Sequence, residues 1–150
     1  MIKRIVAAAA VSAVVVSGAL SAQAAQRIQA TRLSATETVM LRSEGGSMAH
    51  GTAVLTSIGM LSRDTQVVLR VTGLSKGVHL AHLHTGAICT SILNVKNIKY
   101  SLNPLTSMGV QSMATSTTIV HANVLHKRLY INVHGTTRNK LQVVACGTLM

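Results

Sequence analysis

Beyond residue 36, apolar and polar residues alternate almost one by one. In Gln66–Val71, Val67, Leu69 and Val71 share one face while Gln66 and Arg70 share the other. Thr38–Arg42 sets Val39 and Leu41 against Thr38 and Arg42 in the same way. A period of two turns successive side chains to opposite faces, the pattern of a half-buried strand. Strands are expected near 37–42, 50–56, 65–72, 78–84, 96–102, 116–122, 129–134 and 141–149. Turn residues separate them: Gly45-Gly46-Ser47, Gly59, Ser62 to Asp64, Gly73, Ser75 to Gly77 and Asn103-Pro104. The Ser-, Thr- and Met-rich stretch from about 103 to 117 reads as a long loop. No segment of this region carries a helical stripe. Short strands at near-regular spacing predict an all-β sandwich or barrel of about eight antiparallel strands.

The opening residues follow a different rule. Lys3 and Arg4 precede an almost unbroken small-apolar run from Ile5 to Leu20, and Ala22-Gln23-Ala24 supplies a small-x-small cleavage pattern. Residues 1–24 therefore read as a secretory signal peptide, residues 25–36 as an arm without clear pattern, and 37–150 as one domain. The alternative for the apolar run is an uncleaved membrane anchor. Export points to the periplasm or the extracellular space.

Composition narrows the chemistry. The chain has 150 residues, with 14 Lys and Arg against 3 Asp and Glu. Cleavage after Ala24 removes two cations and no acid, taking the net charge from +11 to +9. Phe and Trp are absent and only Tyr100 and Tyr130 are aromatic, so a base-stacking nucleic-acid surface lacks its rings. The cations leave association with anionic surfaces open as a further interaction. Glu37, Glu44 and Asp64 are the only acids, too few for a two-carboxylate hydrolase or an oxygen-rich Ca²⁺ or Mg²⁺ site. Seven His and two Cys remain.

Cys89 and Cys146 are expected to form one disulfide in an oxidising compartment, closing 57 residues of chain; free thiols or copper-thiolate ligands are the alternatives. His82 and His84, two apart on a strand, project together and can reach one metal ion. Without a further ligand they read equally as surface histidines. In Leu129–His134, Leu129, Ile131 and Val133 face one way, and Tyr130, Asn132 and His134 the other. A strand pairing here with 78–84 brings a third imidazole to the same place. His79 has the opposite parity to His82 and reads as a hydrogen-bonded structural or supporting residue. His121 and His126 are candidates for a fourth ligand or for plain surface positions. His50 near Met48 has the donors for Cu(I), although packing and loop roles account for the methionines.

Three blocks together resemble the copper/zinc superoxide dismutases and their secreted bacterial relatives. Gly77-Val78-His79-Leu80-Ala81-His82-Leu83-His84 followed by Cys89 is similar to the family's Gly-x-His-x-x-His-x-His block and its disulfide Cys. Tyr130-Ile131-Asn132-Val133-His134 looks like the later strand ending in a copper-ligand His, and Ala145-Cys146-Gly147 like the family's Ala-Cys-Gly. Gly51-Thr52-Ala53 also fits. The resemblance spans about residues 37–149. It implies a Greek-key β-barrel or sandwich, a Cys89–Cys146 disulfide, and copper on His82, His84 and His134. It also implies one-electron chemistry on superoxide, giving O₂ and H₂O₂. The family's zinc ligands have no counterpart, since no His or Asp lies between Cys89 and Gly109. Zinc is therefore not expected, and the His that bridges copper and zinc has no match at its usual place. Where the family has an anion-guiding Arg, this chain has Val143; Arg138 and Lys140 are near in sequence only. The His-x-x-His-x-His and Asn-Val-His pieces are also similar to the CHRD domains of secreted proteins. A non-enzymatic copper-binding or structural domain of either fold is the alternative function.

Overall fold

A computed structural model describes residues 34–59, 61, 63–89, 95–136, 139 and 141–149. The expected signal peptide and residues 25–33 of the expected arm lie outside the described residues, as do Arg138 and Lys140. Eight strands follow one another: β1 (Thr36–Ser43), β2 (His50–Ile58), β3 (Asp64–Thr72), β4 (Gly77–Thr85), β5 (Ile98–Ser107), β6 (Ala114–Val120), β7 (Leu129–Thr136) and β8 (Val143–Thr148). A 3₁₀ turn, Val95–Asn97, leads into β5.

All pairings are antiparallel, in the order β5-β4-β7-β8-β1-β2-β3-β6. The two terminal strands then meet. The backbone N–H of Asn103 in β5 donates to Thr118 Oγ1, 2.7 Å away, and its Nδ2 donates to the Thr117 carbonyl of β6, 2.6 Å away. Its side chain does this next to Pro104, which has no N–H to give a ladder. With β6 beside β5, the local order β7-β4-β5-β6 is a Greek key in a nearly closed barrel.

Alternation builds the interior as expected. Val39 and Leu41 of β1, Ala53 and Leu55 of β2, and Val67, Leu69 and Val71 of β3 are all buried in one core. The core is filled by Leu, Val, Ile and Ala, each buried Leu or Val contributing roughly 1.5–3 kcal/mol relative to exposure. Gly51 lies where strands come closest: a Cβ there would land on the Arg70 carbonyl of β3, so the β2–β3 pairing requires glycine at this point.

One expected element is corrected. The long loop at 103–117 is mostly strand; β5 runs to Ser107 and β6 starts at Ala114, leaving 108–113 as the connection. Periodicity hid this because Leu102 and Leu105 both point inward with Asn103-Pro104 between them. A register shift absorbs the extra residue, Ala81 pairing Leu102 while His79 pairs Leu105.

Candidate metal centre

β4 lies between β5 and β7. Ala81 and Leu83 point into the barrel core, which turns His82 and His84 to the outer face. On β7, Leu129, Ile131 and Val133 join the core and send Tyr130, Asn132 and His134 to the same outer face. The register sets His84 opposite Tyr130 and His82 opposite Asn132.

A bulge then re-aims His134. Ala81 pairs Val133, but His79 pairs Thr136, so β7 carries His134 and Gly135 against the single residue Leu80 of β4. Close backbone approach favours glycine at 135, where a Cβ would stand 2.7 Å from the Asn139 carbonyl. β8 shifts register at the same level, Val133 pairing Ala145 and His134 pairing Val143. His79 braces the bulge from inside: its Nδ1 lies 2.8 Å from the His134 carbonyl and its Nε2 2.9 Å from the Ser75 carbonyl.

The result is convergence. His82, His84 and His134 each present one ring nitrogen, and these atoms all lie within 4.8 Å of one another. Ring centroids are 5.1 Å apart for His82–His134, 5.8 Å for His82–His84 and 6.3 Å for His84–His134. Among the described residues no other His, Cys, Asp or Glu joins this group. His84 stacks on Tyr130 with centroids 4.9 Å apart and planes 11° from parallel, which fixes its ring plane.

The outer face of β7 is not a solvent face. Tyr130, Asn132 and His134 are all buried. The Cys89–Cys146 disulfide covers Tyr130: Cys89 packs with Tyr130, Val143 and Cys146 in a second apolar cluster. With both cysteines in the disulfide, neither offers a thiolate to a metal. His82 keeps partial exposure, so the group opens to solvent on its side.

His121 is exposed, with Nδ1 3.6 Å from the Asp64 carboxylate. His126 is exposed too, and its backbone N–H donates to Glu37 Oε2, 3.0 Å away. His50 turns Nδ1 to the Met48 carbonyl, 2.8 Å away, and Nε2 to the Thr72 hydroxyl, 3.3 Å away. The structure gathers three of the candidate histidines, uses His79 as a brace, and leaves His121, His126 and His50 elsewhere. Tyr130 and Asn132 acquire places at the site that the sequence signalled only through their parity with His134. No family model matches the chain, and no curated protein matches it.

The chemistry of the donors suits a metal ion. Nδ1 of His82 and both ring nitrogens of His134 are shielded from water and have no hydrogen-bond partner. Leaving such an atom unmet costs about 1–3 kcal/mol, and a metal ion satisfies it directly. Burial, then the neighbouring His82 and His84, lowers the His134 pKa to about 4; burial also lowers that of His82. Both rings are therefore neutral near pH 7, the form that coordinates metal.

This has a pH consequence for the metal-free protein. His134 takes up a proton near 6.5 when unfolded and near 4 when folded. Across that window the unfolded chain binds the extra proton, so stability falls as pH drops from about 6.5 to 4 and this residue adds no further loss below. The loss is at most about 3 kcal/mol. Urea midpoints of metal-free wild type are expected to fall over this window more than those of His134→Leu. Parallel curves for the two proteins would remove the assignment.

Proposed function

We propose that the protein is an exported copper-binding protein of the copper/zinc superoxide dismutase type, holding one copper ion on His82, His84 and His134 and acting on superoxide. The observation that carries this reading is the convergence of three imidazole nitrogens from two strands within 4.8 Å, without a carboxylate or thiolate. An all-imidazole set suits copper, which also binds nitrogen sites most tightly among the common divalent first-row ions. The Greek-key strand order and the disulfide that covers β7 support the likeness, and a disulfide favours an oxidising compartment.

Copper bound here supplies one-electron chemistry, with two superoxide ions and two protons yielding O₂ and H₂O₂. The chain's own part is to hold and to admit. Stacking on Tyr130 orients His84, and the His79 contact fixes the backbone of His134. Cys89 and Cys146 pack over Tyr130, while the partly exposed His82 leaves an approach for a small anion.

A second reading, copper retention without turnover, is favoured by Val143. It is fully buried beside His134, where the resembled enzymes have a cation. A Cu(II) titration followed by electron paramagnetic resonance, then superoxide consumption by the loaded protein, decides between them. One equivalent of copper with nitrogen hyperfine structure and copper-dependent superoxide loss is the expected result. Copper bound in one equivalent without superoxide loss selects retention. Absence of stoichiometric copper overturns both readings.

A further inference from the structure

Charge is divided unevenly along this chain. Glu37, Glu44 and Asp64 are its acids, and residues 65–150 contain no Asp or Glu at all. The acids therefore sit on β1, just after it and at the start of β3, while β5, β4, β7 and β8, contiguous in the sheet, carry none.

The sheet gathers cations at one end of this acid-free side. His84 of β4 pairs with Ile98 of β5 and with Tyr130 of β7. Lys96 and Lys99 stand close to Ile98 in sequence, and Lys127 and Arg128 lead into Leu129, which pairs with Thr85. The Gly86 N–H donates to the Arg128 carbonyl, 3.0 Å away, and holds that turn against the end of β4. Neighbouring strands lie about 4.8 Å apart, so the backbones of β5 and β7 are roughly 10 Å apart across β4. All four cations are exposed. A register shift makes Lys99 the extra residue between the Leu83–Tyr100 and His84–Ile98 pairs, and its Nζ lies 6.0 Å from the centre of the Tyr100 ring. That is a cation–π distance. Two carboxylates face the β6–β7 connection, and both meet it before Lys127. Glu37 Oε2 accepts the His126 N–H at 3.0 Å, and Asp64 Oδ2 lies 3.6 Å from His121 Nδ1.

The surroundings of these cations are polar. Thr85 and Ser101 are exposed, and no exposed large apolar side chain lies on β5, on β7 or in residues 121–128. Ile88, exposed after β4, lines a groove with Met40 and Cys146 on the β1–β8 side instead. A lipid surface takes up apolar side chains besides meeting cations. Single-stranded nucleic acid needs rings to stack on. Cations among hydroxyls suit a hydrated anionic sugar polymer.

We propose that Lys96, Lys99, Lys127 and Arg128 form a docking surface for an anionic polysaccharide. The surface needs no metal, so it stands apart from the copper reading.

The test is binding of the purified protein to dextran sulfate over a salt series, with uncharged dextran as blank. Two double charge reversals are compared: Lys99→Glu/Arg128→Glu on the patch, and Arg42→Glu/Arg70→Glu on the acid-bearing side. Both change the net charge equally. Wild type is expected to bind dextran sulfate with an affinity that falls steeply with salt, and to ignore uncharged dextran. The patch variant is expected to bind more than about tenfold more weakly, with a shallower salt dependence, and the other variant to stay close to wild type. Lys127→Gln/Arg128→Gln, both on an exposed turn, carries the test if the reversal at Lys99 disturbs β5. Equal losses in the two reversal variants assign binding to net charge alone and overturn the patch, as does a wild type that ignores dextran sulfate. Tighter binding to vesicles of phosphatidylglycerol and phosphatidylcholine than to dextran sulfate makes the partner a lipid surface and overturns the polysaccharide.

Discussion

Replacing His134 with leucine is expected to abolish stoichiometric copper binding while making the metal-free protein more stable. The two effects have one origin. His134 is fully buried, its two ring nitrogens have no hydrogen-bond partner, and its charged form is disfavoured down to about pH 4. In the metal-free fold these unmet atoms cost about 1–3 kcal/mol each, a penalty that an apolar side chain of similar volume removes. Copper binding moves the opposite way. His82 and His84 remain as a pair from one strand, and the ligand supplied by β7 is gone. Changes to residues that merely support a ligand cost 10–100-fold in affinity, so loss of the ligand itself is expected to exceed about a hundredfold. Isothermal titration with Cu(II) and urea denaturation of the metal-free protein read the two effects separately. His50→Leu and His121→Leu serve as controls, since both residues lie outside the convergent group. A His134→Leu protein that still binds one copper, or that is clearly less stable than wild type without metal, contradicts the site.

Breaking the disulfide is the second large effect. Cys89 and Cys146 are 57 residues apart in sequence. Closing a loop of that length contributes about 4 kcal/mol in the chain-entropy account. Its position adds a local effect. Cys146 pairs with Asn132 of β7 and with Arg42 of β1, and Cys89 completes the apolar cluster over Tyr130. The double substitution Cys89→Ser/Cys146→Ser is expected to lower unfolding free energy by about 4 kcal/mol. It is also expected to raise the accessibility of Tyr130, and with it that of the stacked His84. Urea unfolding and tyrosine fluorescence quenching measure the two. Unchanged quenching in the double variant would show that the outer face of β7 is covered by something other than this link.

The strands of the core were legible because every one of them buries a single face. Val67, Leu69 and Val71 alternate with Gln66 and Arg70, and all three reach the core. The shared face of the histidines was legible for the same reason: parity puts His82 with His84 and His134 with Tyr130, and the pairing of β4 with β7 brings the three together. Parity breaks within β5: Asn103-Pro104 sits between two inward leucines, so the pattern marks the strand only as far as Leu102, whereas β5 runs on to Ser107. Sequence periodicity also describes a face as polar without saying whether it meets water. Tyr130, Asn132 and His134 form such a face and are all buried, Tyr130 against Cys89 of the disulfide. The bulge at His134-Gly135, which turns the third imidazole toward the other two, depends on pairing with β4 and β8 and has no signature within β7 alone.

The closure made by Asn103 reaches beyond the shape of the barrel. A sheet whose two outermost strands hold each other through Asn103 and the Thr117 carbonyl offers a second chain little unpaired backbone on which to add a strand. Pro104 removes one more donor from that margin. The fold's safeguard against edge-to-edge association therefore rests on one carboxamide at the β5–β6 seam, a single strand away from the histidines of β4.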